Sequence, residues 1–366
     1  MLLTLQYLRG IASILVVLYH ARGEINNTYS QSNLGDMLFS NGYIGVDLFF
    51  MISGFVMMLS TEKDKSSFSF IVKRIFRIYP VYLVCLLAAM YILNKQFNAE
   101  FIRSIFFINL DLSASAPWFG YAIIFTAWTL MFEIIFYLIF YVSMSMSWAY
   151  RGYVCSAFII LIVVLINIIF NGTVSFSGYS SIPVNTNTGH DYLLKIARVL
   201  SSPMFFEFVM GIAIYKICGH MRNIVSAKFA AVSAIVSIVL FSYFYVTGFN
   251  GGHGPLQCGL YSAFLLFSLV VYERKCGVKY NKTLDFFGNI SYSLYLTHAI
   301  VLSAISTGMF SLYFYVSGNG FSNLYFIMLA SILLSSALYY TVELYCVRLA
   351  RNILKLYIGV NFYKVK

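Results

Sequence analysis

Long apolar runs separated by short polar segments are the dominant pattern along this 366-residue chain. A run near 20 residues is long enough to carry an α-helix across the hydrocarbon core of a bilayer. The pattern therefore predicts an all-α integral membrane protein with about ten transmembrane helices. The predicted spans are approximately Leu5–Ala21, Tyr43–Leu59, Ile78–Leu93, Phe119–Val142, Tyr153–Phe170, Pro203–Ile217, Phe229–Val246, Leu256–Val271, Ile290–Met309 and Leu324–Cys346.

The composition of the chain excludes a single large water-soluble domain. Apolar residues make up 60% of the sequence and charged residues only 10%, whereas soluble proteins carry about 25% charged residues. A soluble fold of this size leaves much of its surface in water and could not bury so large an apolar fraction. The 19% of aromatic residues is typical of chains with aromatic belts at the membrane interfaces.

The basic residues are divided unequally between the two sides of the predicted topology. With the N-terminus placed in the cytoplasm, 19 of the 24 Lys and Arg residues fall on the cytoplasmic side. Positive residues accumulate there, so the bias predicts that both termini are cytoplasmic. It also accounts for the net charge of +11 without nucleic-acid binding. We expect a multi-pass protein of the inner membrane, with one transmembrane domain over residues 1–346 and a basic cytoplasmic tail over 347–366.

The six cysteines show no spacing typical of a metal site, and only Cys258 is predicted near the outer face. We therefore expect neither a bound metal nor a disulfide. The first apolar run is followed by no small-x-small cleavage site, so it is expected to remain as the first span. A partly re-entrant piece is expected before Trp128, because residues 118–148 are too many for one crossing.

Arg9, His20 and Glu133 are among the ionisable side chains that fall inside predicted spans. Each costs roughly 2.5–3.5 kcal/mol at mid-bilayer, which predicts that it faces a cavity. Arg9 and His20 lie eleven residues apart, so they share one face of the first helix about 16 Å apart. Glu133, in the fourth span, needs a partner from another helix. Other roles stay open: an interfacial anchor for Arg9, a structural histidine at His20 and a structural ion pair of Glu133 with Arg9.

Asp47 is predicted to orient His20. The first two spans are antiparallel neighbours, and the two residues lie at similar depth near the outer side. A carboxylate bonded to an imidazole fixes its tautomer and raises its basicity, as a general base requires. We therefore expect a His20–Asp47 pair with His20 as the catalytic base.

Arg74 and Arg77 are three residues apart on the cytoplasmic side of the third span. On a helix this spacing places both guanidinium groups on one face. Such a pair suits a phosphate-bearing cofactor that arrives from the cytoplasm. The alternative is that both residues only determine topology.

A polar stripe runs along the ninth span, where Ser291, Tyr295 and His298 follow the spacing i, i+4, i+7. A stripe of this kind either faces a cavity or forms hydrogen bonds between helices. These three residues, together with Trp128 at the start of the fourth span, are candidates for a substrate site.

Five motifs occur in the same order as in a known family. They are Arg9 with His20 eleven residues later; Gly-Val-Asp-Leu-Phe-Phe followed by Ser-Gly-Phe; Arg-x-x-Arg before Tyr-Pro; Trp-Thr-Leu-x-x-Glu-x-x-Phe-Tyr from Trp128; and Ser-Tyr-x-x-Tyr-Leu-x-His from Ser291. With them the chain resembles the integral-membrane acyltransferase 3 family, which includes O-antigen and exopolysaccharide O-acetyltransferases. The resemblance extends from Leu5 to about Glu343.

The resemblance implies a ten-span fold that transfers an acetyl group from cytoplasmic acetyl-CoA to a hydroxyl of a surface glycan, free or lipid-linked. By analogy, His20 is catalytic, Arg9 belongs to the same site, and Arg74 and Arg77 hold the CoA phosphates. Many relatives end the last span in Glu-x-Pro. Here Leu344 and Tyr345 follow Glu343, so the role of Glu343 is open.

The pantetheine arm of CoA is roughly as long as the 16 Å between Arg9 and His20 along their helix. Phosphates at the paired arginines would then allow the thioester to reach His20. Direct attack by the sugar and an acyl-enzyme both remain open. A transporter of a small acylated or anionic solute is the alternative, although no convincing internal repeat is visible. A purely structural scaffold would leave the buried ionisable residues unexplained. The sequence leaves open a partner protein or a homo-oligomer.

Overall fold

The computed structural model describes residues 2–183, 192–221, 224–309, 318 and 320–364. Every long regular element in these residues is a helix, and no strand occurs among them. The helices are α1 (Leu3–Ala21), α2 (Leu34–Phe39), α3 (Ile44–Ser60), α4 (Ser67–Ile92), α5 (Ala99–Ile105), α6 (Trp128–Met146), α7 (Arg151–Asn171), α8 (Tyr192–Leu200), α9 (Phe205–Met221), α10 (Ala227–Thr247), α11 (Cys258–Cys276), α12 (Lys282–Ser306), α13 (Phe321–Leu338) and α14 (Leu344–Lys364).

Eight helical segments in the described residues are long and apolar enough to cross a membrane. This confirms an all-α integral membrane protein. The two predicted spans outside that set form α11 and α12. Charged residues at the end of α11 and polar ones along α12 lower their mean hydropathy. Much of α12 is buried by other helices, so it can carry polar groups that a lipid-facing helix could not.

Several element boundaries differ from the prediction. The helix expected from Ile78 begins eleven residues earlier at Ser67, so Arg74 and Arg77 lie on α4 itself and not on a loop. The predicted tail over 347–366 starts inside α14. Ala350 and Leu354 of α14 are buried and α14 packs against α4, so this part of the chain belongs to the bundle. Residues 365 and 366 lie outside the described residues.

Helix α1 is the centre of the bundle, because it packs closely against both α3 and α12. A Cβ atom on Gly45 of α3 would lie 2.5 Å from the carbonyl oxygen of Ala12. A Cβ atom on Gly288 of α12 would lie 2.3 Å from the carbonyl oxygen of Gln6. Only glycine permits these approaches of backbone to backbone.

The two ends of the bundle are distinguished by α1. We call the end at which α1 begins the Leu3 face and the end at which it finishes the Tyr19 face. At the Leu3 face, Glu273 accepts hydrogen bonds from the amides of Leu3 and Thr4 at 2.7 and 2.8 Å. The carboxylate thereby satisfies amides that a helix start leaves free. Irregular but partly buried chain precedes α6 at the Tyr19 face, in the stretch where the sequence predicts a re-entrant piece.

Candidate active site

A cavity of about 120 Å³ lies between α1, α3, α4, α6 and α12. Apolar side chains form most of its wall. Each of the five helices also contributes at least one polar side chain, which for α3 is Ser53. Six residues singled out in the sequence line it: Arg9, Arg74, Arg77, Glu133, Ser291 and Tyr295. The fold therefore assembles one polar chamber from residues up to 286 positions apart.

Arg77 forms a buried ion pair with Glu343. Its Nη1 lies 2.6 Å from Oε1 of the carboxylate, and Oε2 accepts a hydrogen bond from Ser293 Oγ at 2.7 Å. The Glu343 side chain is fully buried, whereas that of Arg77 is 27% exposed. The role of Glu343 that the sequence leaves open is thus to neutralise and position Arg77.

Arg74 and Arg9 differ from Arg77, because neither forms an ion pair within the described part of the chain. The Arg74 guanidinium lies 5.8 Å from the ring centre of Tyr137, and its Nε is buried without a hydrogen-bond partner. Arg9 interacts electrostatically with Arg77, Glu343 and Glu133. Three cations thus face two carboxylates, so the chamber keeps a net positive charge that suits an anionic ligand.

Glu133 is held in the chamber wall by hydroxyl groups. Ser53 Oγ donates to its Oε1 at 3.3 Å, and the Tyr137 hydroxyl donates to the same oxygen. The expected alternative, a direct ion pair with Arg9, is not formed among the described contacts; their interaction acts at longer range.

His20 and His298 lie side by side toward the Tyr19 face, with ring centres 5.2 Å apart. Tyr295 connects them to the chamber, because it lines the cavity and its ring lies 5.8 Å from that of His298. The Tyr295 hydroxyl is fixed by Thr129 at 2.8 Å. The polar stripe of α12 thus extends from the arginines to the two histidines.

His20 and His298 both use Nδ1 for a hydrogen bond within their own helix, which leaves Nε2 available to accept a proton. His20 Nδ1 lies 2.9 Å from the carbonyl oxygen of Val16, and His298 Nδ1 lies 3.1 Å from that of Leu294. A carbonyl oxygen only accepts, so each neutral ring carries its hydrogen on Nδ1 and leaves the Nε2 lone pair free. His298 Nε2 is buried without a partner in the described residues, whereas His20 is partly exposed.

The expected His20–Asp47 pair is not formed. Asp47 Oδ2 accepts a hydrogen bond from His253 Nδ1 at 2.8 Å, and Oδ1 accepts one from the Gly254 amide at 3.1 Å. The cause is helical geometry: Gly45 faces α1, and a residue two positions later points about 200° around the helix. Asp47 therefore orients His253. The partner of His20 Nδ1 is the carbonyl oxygen of Val16 and not a carboxylate.

Two of the substrate-site candidates, Trp128 and Ser291, are not free polar groups of the chamber: Trp128 does not line it, and Ser291 bonds within its own helix. The Trp128 ring packs 5.9 Å from the ring of His253 and is nearly buried, so this substrate candidate belongs to the Tyr19 face. Ser291 lines the cavity, but its Oγ donates to the Gly288 carbonyl of its own helix at 2.9 Å.

Two buried residues near Asp47 lie outside the motifs that the sequence analysis singles out. His253 is 4% exposed although it lies in a connection between helices. Glu207, at the start of α9, is fully buried and interacts with Asp47 and the Gly254 backbone. The sequence could have indicated Glu207, because it is a lone glutamate in an apolar run. No pattern in the sequence around His253 indicates that it is buried.

Comparison with known proteins completes the description of the site. The family described as "Acyltransferase domain" matches residues 2–340. The chain is also similar to the exopolysaccharide production protein ExoZ of Rhizobium meliloti (strain 1021), with 25% identity over 280 residues, which cover 73% of this chain and 79% of that protein. No solved structure matches.

Proposed function

The chain belongs to the acyltransferase-domain family, and from this premise we propose that it is an acetyl-CoA-dependent O-acetyltransferase that esterifies a glycan hydroxyl. A membrane acyltransferase follows from the family and from the helical bundle. The name of the similar ExoZ protein refers to exopolysaccharide production, which favours a polysaccharide acceptor.

One observation carries the proposal: a cationic chamber is joined to a pair of histidines by a continuous polar stripe. Phosphate groups bind best where arginines have no carboxylate partner of their own, which favours Arg74 and Arg9 as the donor contacts. The acetyl-bearing end of the donor would extend along Tyr295 toward His298 and His20. On this proposal the Leu3 face is cytoplasmic, in agreement with the positive charge bias.

The proposed transfer uses His20 as the base. Its Nε2 lone pair takes the proton of the sugar hydroxyl while the oxygen attacks the thioester carbonyl. The new C–O bond forms, the C–S bond breaks, and the imidazolium returns the proton to the departing thiolate. His298, whose ring centre lies 5.2 Å from that of His20, packs beside the base and holds its ring in place.

The test measures acetyl transfer by purified protein in lipid nanodiscs. The donor is radiolabelled acetyl-CoA, and the acceptor is the producing cells' own surface polysaccharide, freed of esters by mild alkali. Substitution His20→Ala should lower transfer by about 10²–10⁴-fold, the usual contribution of a positioned base. His220→Ala is the matched control, because its Nδ1 makes the same bond to its own helix at Lys216 but on an exposed surface. Near-normal transfer by His20→Ala would refute the assignment and favour His298.

A further inference from the structure

A continuous row of aromatic rings extends from His20 across the Tyr19 face. Consecutive ring centres lie 5.0, 5.8, 5.0, 6.0 and 6.0 Å apart. We call this set the aromatic row, and in order it consists of His20, Tyr19, Tyr43, His253, Tyr179 and Trp118. The row therefore begins at the proposed catalytic base, and none of its six residues lines the chamber that holds Arg9, Arg74 and Arg77.

The rings come from five separate segments of chain. Two lie at the end of α1, one precedes α3, and the others belong to the connections before α6, after α7 and before α11. Isolated interfacial tyrosines that anchor a helix in lipid have no need of mutual contact. Contact among rings from so many segments indicates that the fold builds this surface as a unit.

Polar contacts fix the row in place. Asp47 holds His253 through Nδ1, and the Tyr43 hydroxyl accepts a hydrogen bond from the Gly252 amide at 2.8 Å. The Arg22 guanidinium lies 4.2 Å from the ring centre of Tyr19. Rigid aromatic groups lose little conformational entropy when a ligand binds.

The row offers ring surface and hydroxyl groups to a ligand, while the buried His253 supports the other rings from within the fold. Tyr179 is 45% exposed, and so is the nearby Tyr121. Both phenols lie within electrostatic range of the Tyr19 phenol. A pyranose ring presents C–H faces that pack on aromatic rings, and its hydroxyls bond to phenols, which both donate and accept.

We propose that the aromatic row is the acceptor subsite, which holds a polysaccharide chain so that one of its sugar hydroxyls lies at His20. This inference rests on the proposed acetyltransferase function and adds where the acceptor binds. It also explains the position of Asp47, which holds His253 within the acceptor subsite. Donor and acceptor thus approach His20 from opposite sides, the donor through the chamber and the acceptor along the row.

The experiment compares the Michaelis constants of the two substrates in nanodiscs, again with alkali-treated native polysaccharide and acetyl-CoA. Tyr179→Leu should raise the KM for polysaccharide at least tenfold, since aromatic anchors dominate binding surfaces. The KM for acetyl-CoA should change by less than twofold. Tyr179→Phe keeps the ring and should retain most of the affinity. Tyr192→Leu is the matched control, an exposed tyrosine on α8 outside the row.

The outcomes separate this inference from the proposed function. An unchanged polysaccharide KM in Tyr179→Leu, with active wild-type protein, overturns the acceptor subsite alone. An equal rise in both Michaelis constants also overturns it, because the effect is then general. Wild-type protein that transfers no acetyl group to the polysaccharide overturns the acetyltransferase function and the subsite together.

Discussion

Substitution of Arg74 and of Arg77 by glutamine should have opposite consequences, although the two residues are three positions apart on one helix. Arg77 already has a buried partner in Glu343 at 2.6 Å. Arg74 has no ion pair within the described residues, and its Nε is buried without a hydrogen bond. Arg74 is therefore available to the donor, whereas much of the charge of Arg77 is used within the protein.

For Arg74→Gln the expected loss is in donor affinity. Removal of charge-assisted hydrogen bonds costs about 1.5–3 kcal/mol, which corresponds to a roughly 10- to 150-fold rise in the Kd for CoA. The free energy of unfolding should stay within about 0.5 kcal/mol, since no native ion pair is broken. Titration calorimetry in nanodiscs measures the first quantity, and denaturant unfolding in mixed micelles measures the second.

For Arg77→Gln the expected loss is in stability, because the substitution leaves the fully buried Glu343 carboxylate with Ser293 as its hydrogen-bond donor. Breaking a buried pair costs about 3–5 kcal/mol, and the 27% exposure of Arg77 favours the lower end. The double variant Arg77→Gln with Glu343→Gln should recover most of this loss, as a double-mutant cycle would reveal.

Lys63→Gln is the control for charge alone, because Lys63 is exposed in the segment before α4. Equal changes in CoA affinity for Arg74→Gln and Lys63→Gln would refute the donor contact and leave Arg74 as a topology determinant. Unchanged stability of Arg77→Gln would show that the pair with Glu343 contributes nothing.

Two further predictions concern Asp47 and the orientation of the chain. Asp47→Asn should lower the free energy of unfolding by about 1–3 kcal/mol. His253 and Gly254 donate to different oxygens of Asp47, and asparagine replaces one of these oxygens with an NH2 group that cannot accept; unchanged thermal unfolding would contradict this. Cysteines placed at Lys65 and Asn250 should be labelled from opposite sides of sealed vesicles, and equal labelling by an impermeant reagent would overturn the predicted topology.

The sequence predicts the helices well, because apolar length is a property of each segment alone. It also predicts that Arg9 and Glu133 face a cavity, since an ionisable residue in a span must find an interior surface. The structure places both of them in the wall of the chamber. What each of them does in the reaction stays a prediction.

The sequence does not predict which polar side chains form hydrogen bonds or ion pairs with each other. The depth of Asp47 matches that of His20, but the direction of a side chain depends on which face of α3 meets α1, and the close contact at Gly45 decides this. His253 finds Asp47 only because its loop folds back into the bundle. Glu343 and Arg77 are 266 positions apart in the chain, so no spacing rule joins them.

The junction between α13 and α14 has a consequence for insertions and deletions in this part of the chain. Residues Tyr339–Glu343 form a π-helical turn, and the Leu344 amide bonds to the Tyr339 carbonyl five residues back. Such a turn holds one residue more than the α-helix would, and it absorbs that residue locally. Deletion of one of Tyr339–Val342 would therefore restore regular α-helix and leave the following helix facing nearly the same way. Deletion of one residue from the regular part of α14 before Ala350 would instead rotate everything after it by about 100°, and Ala350 and Leu354 would turn away from α4. The turn is thus the place in these two helices where the loss of one residue disturbs the packing least.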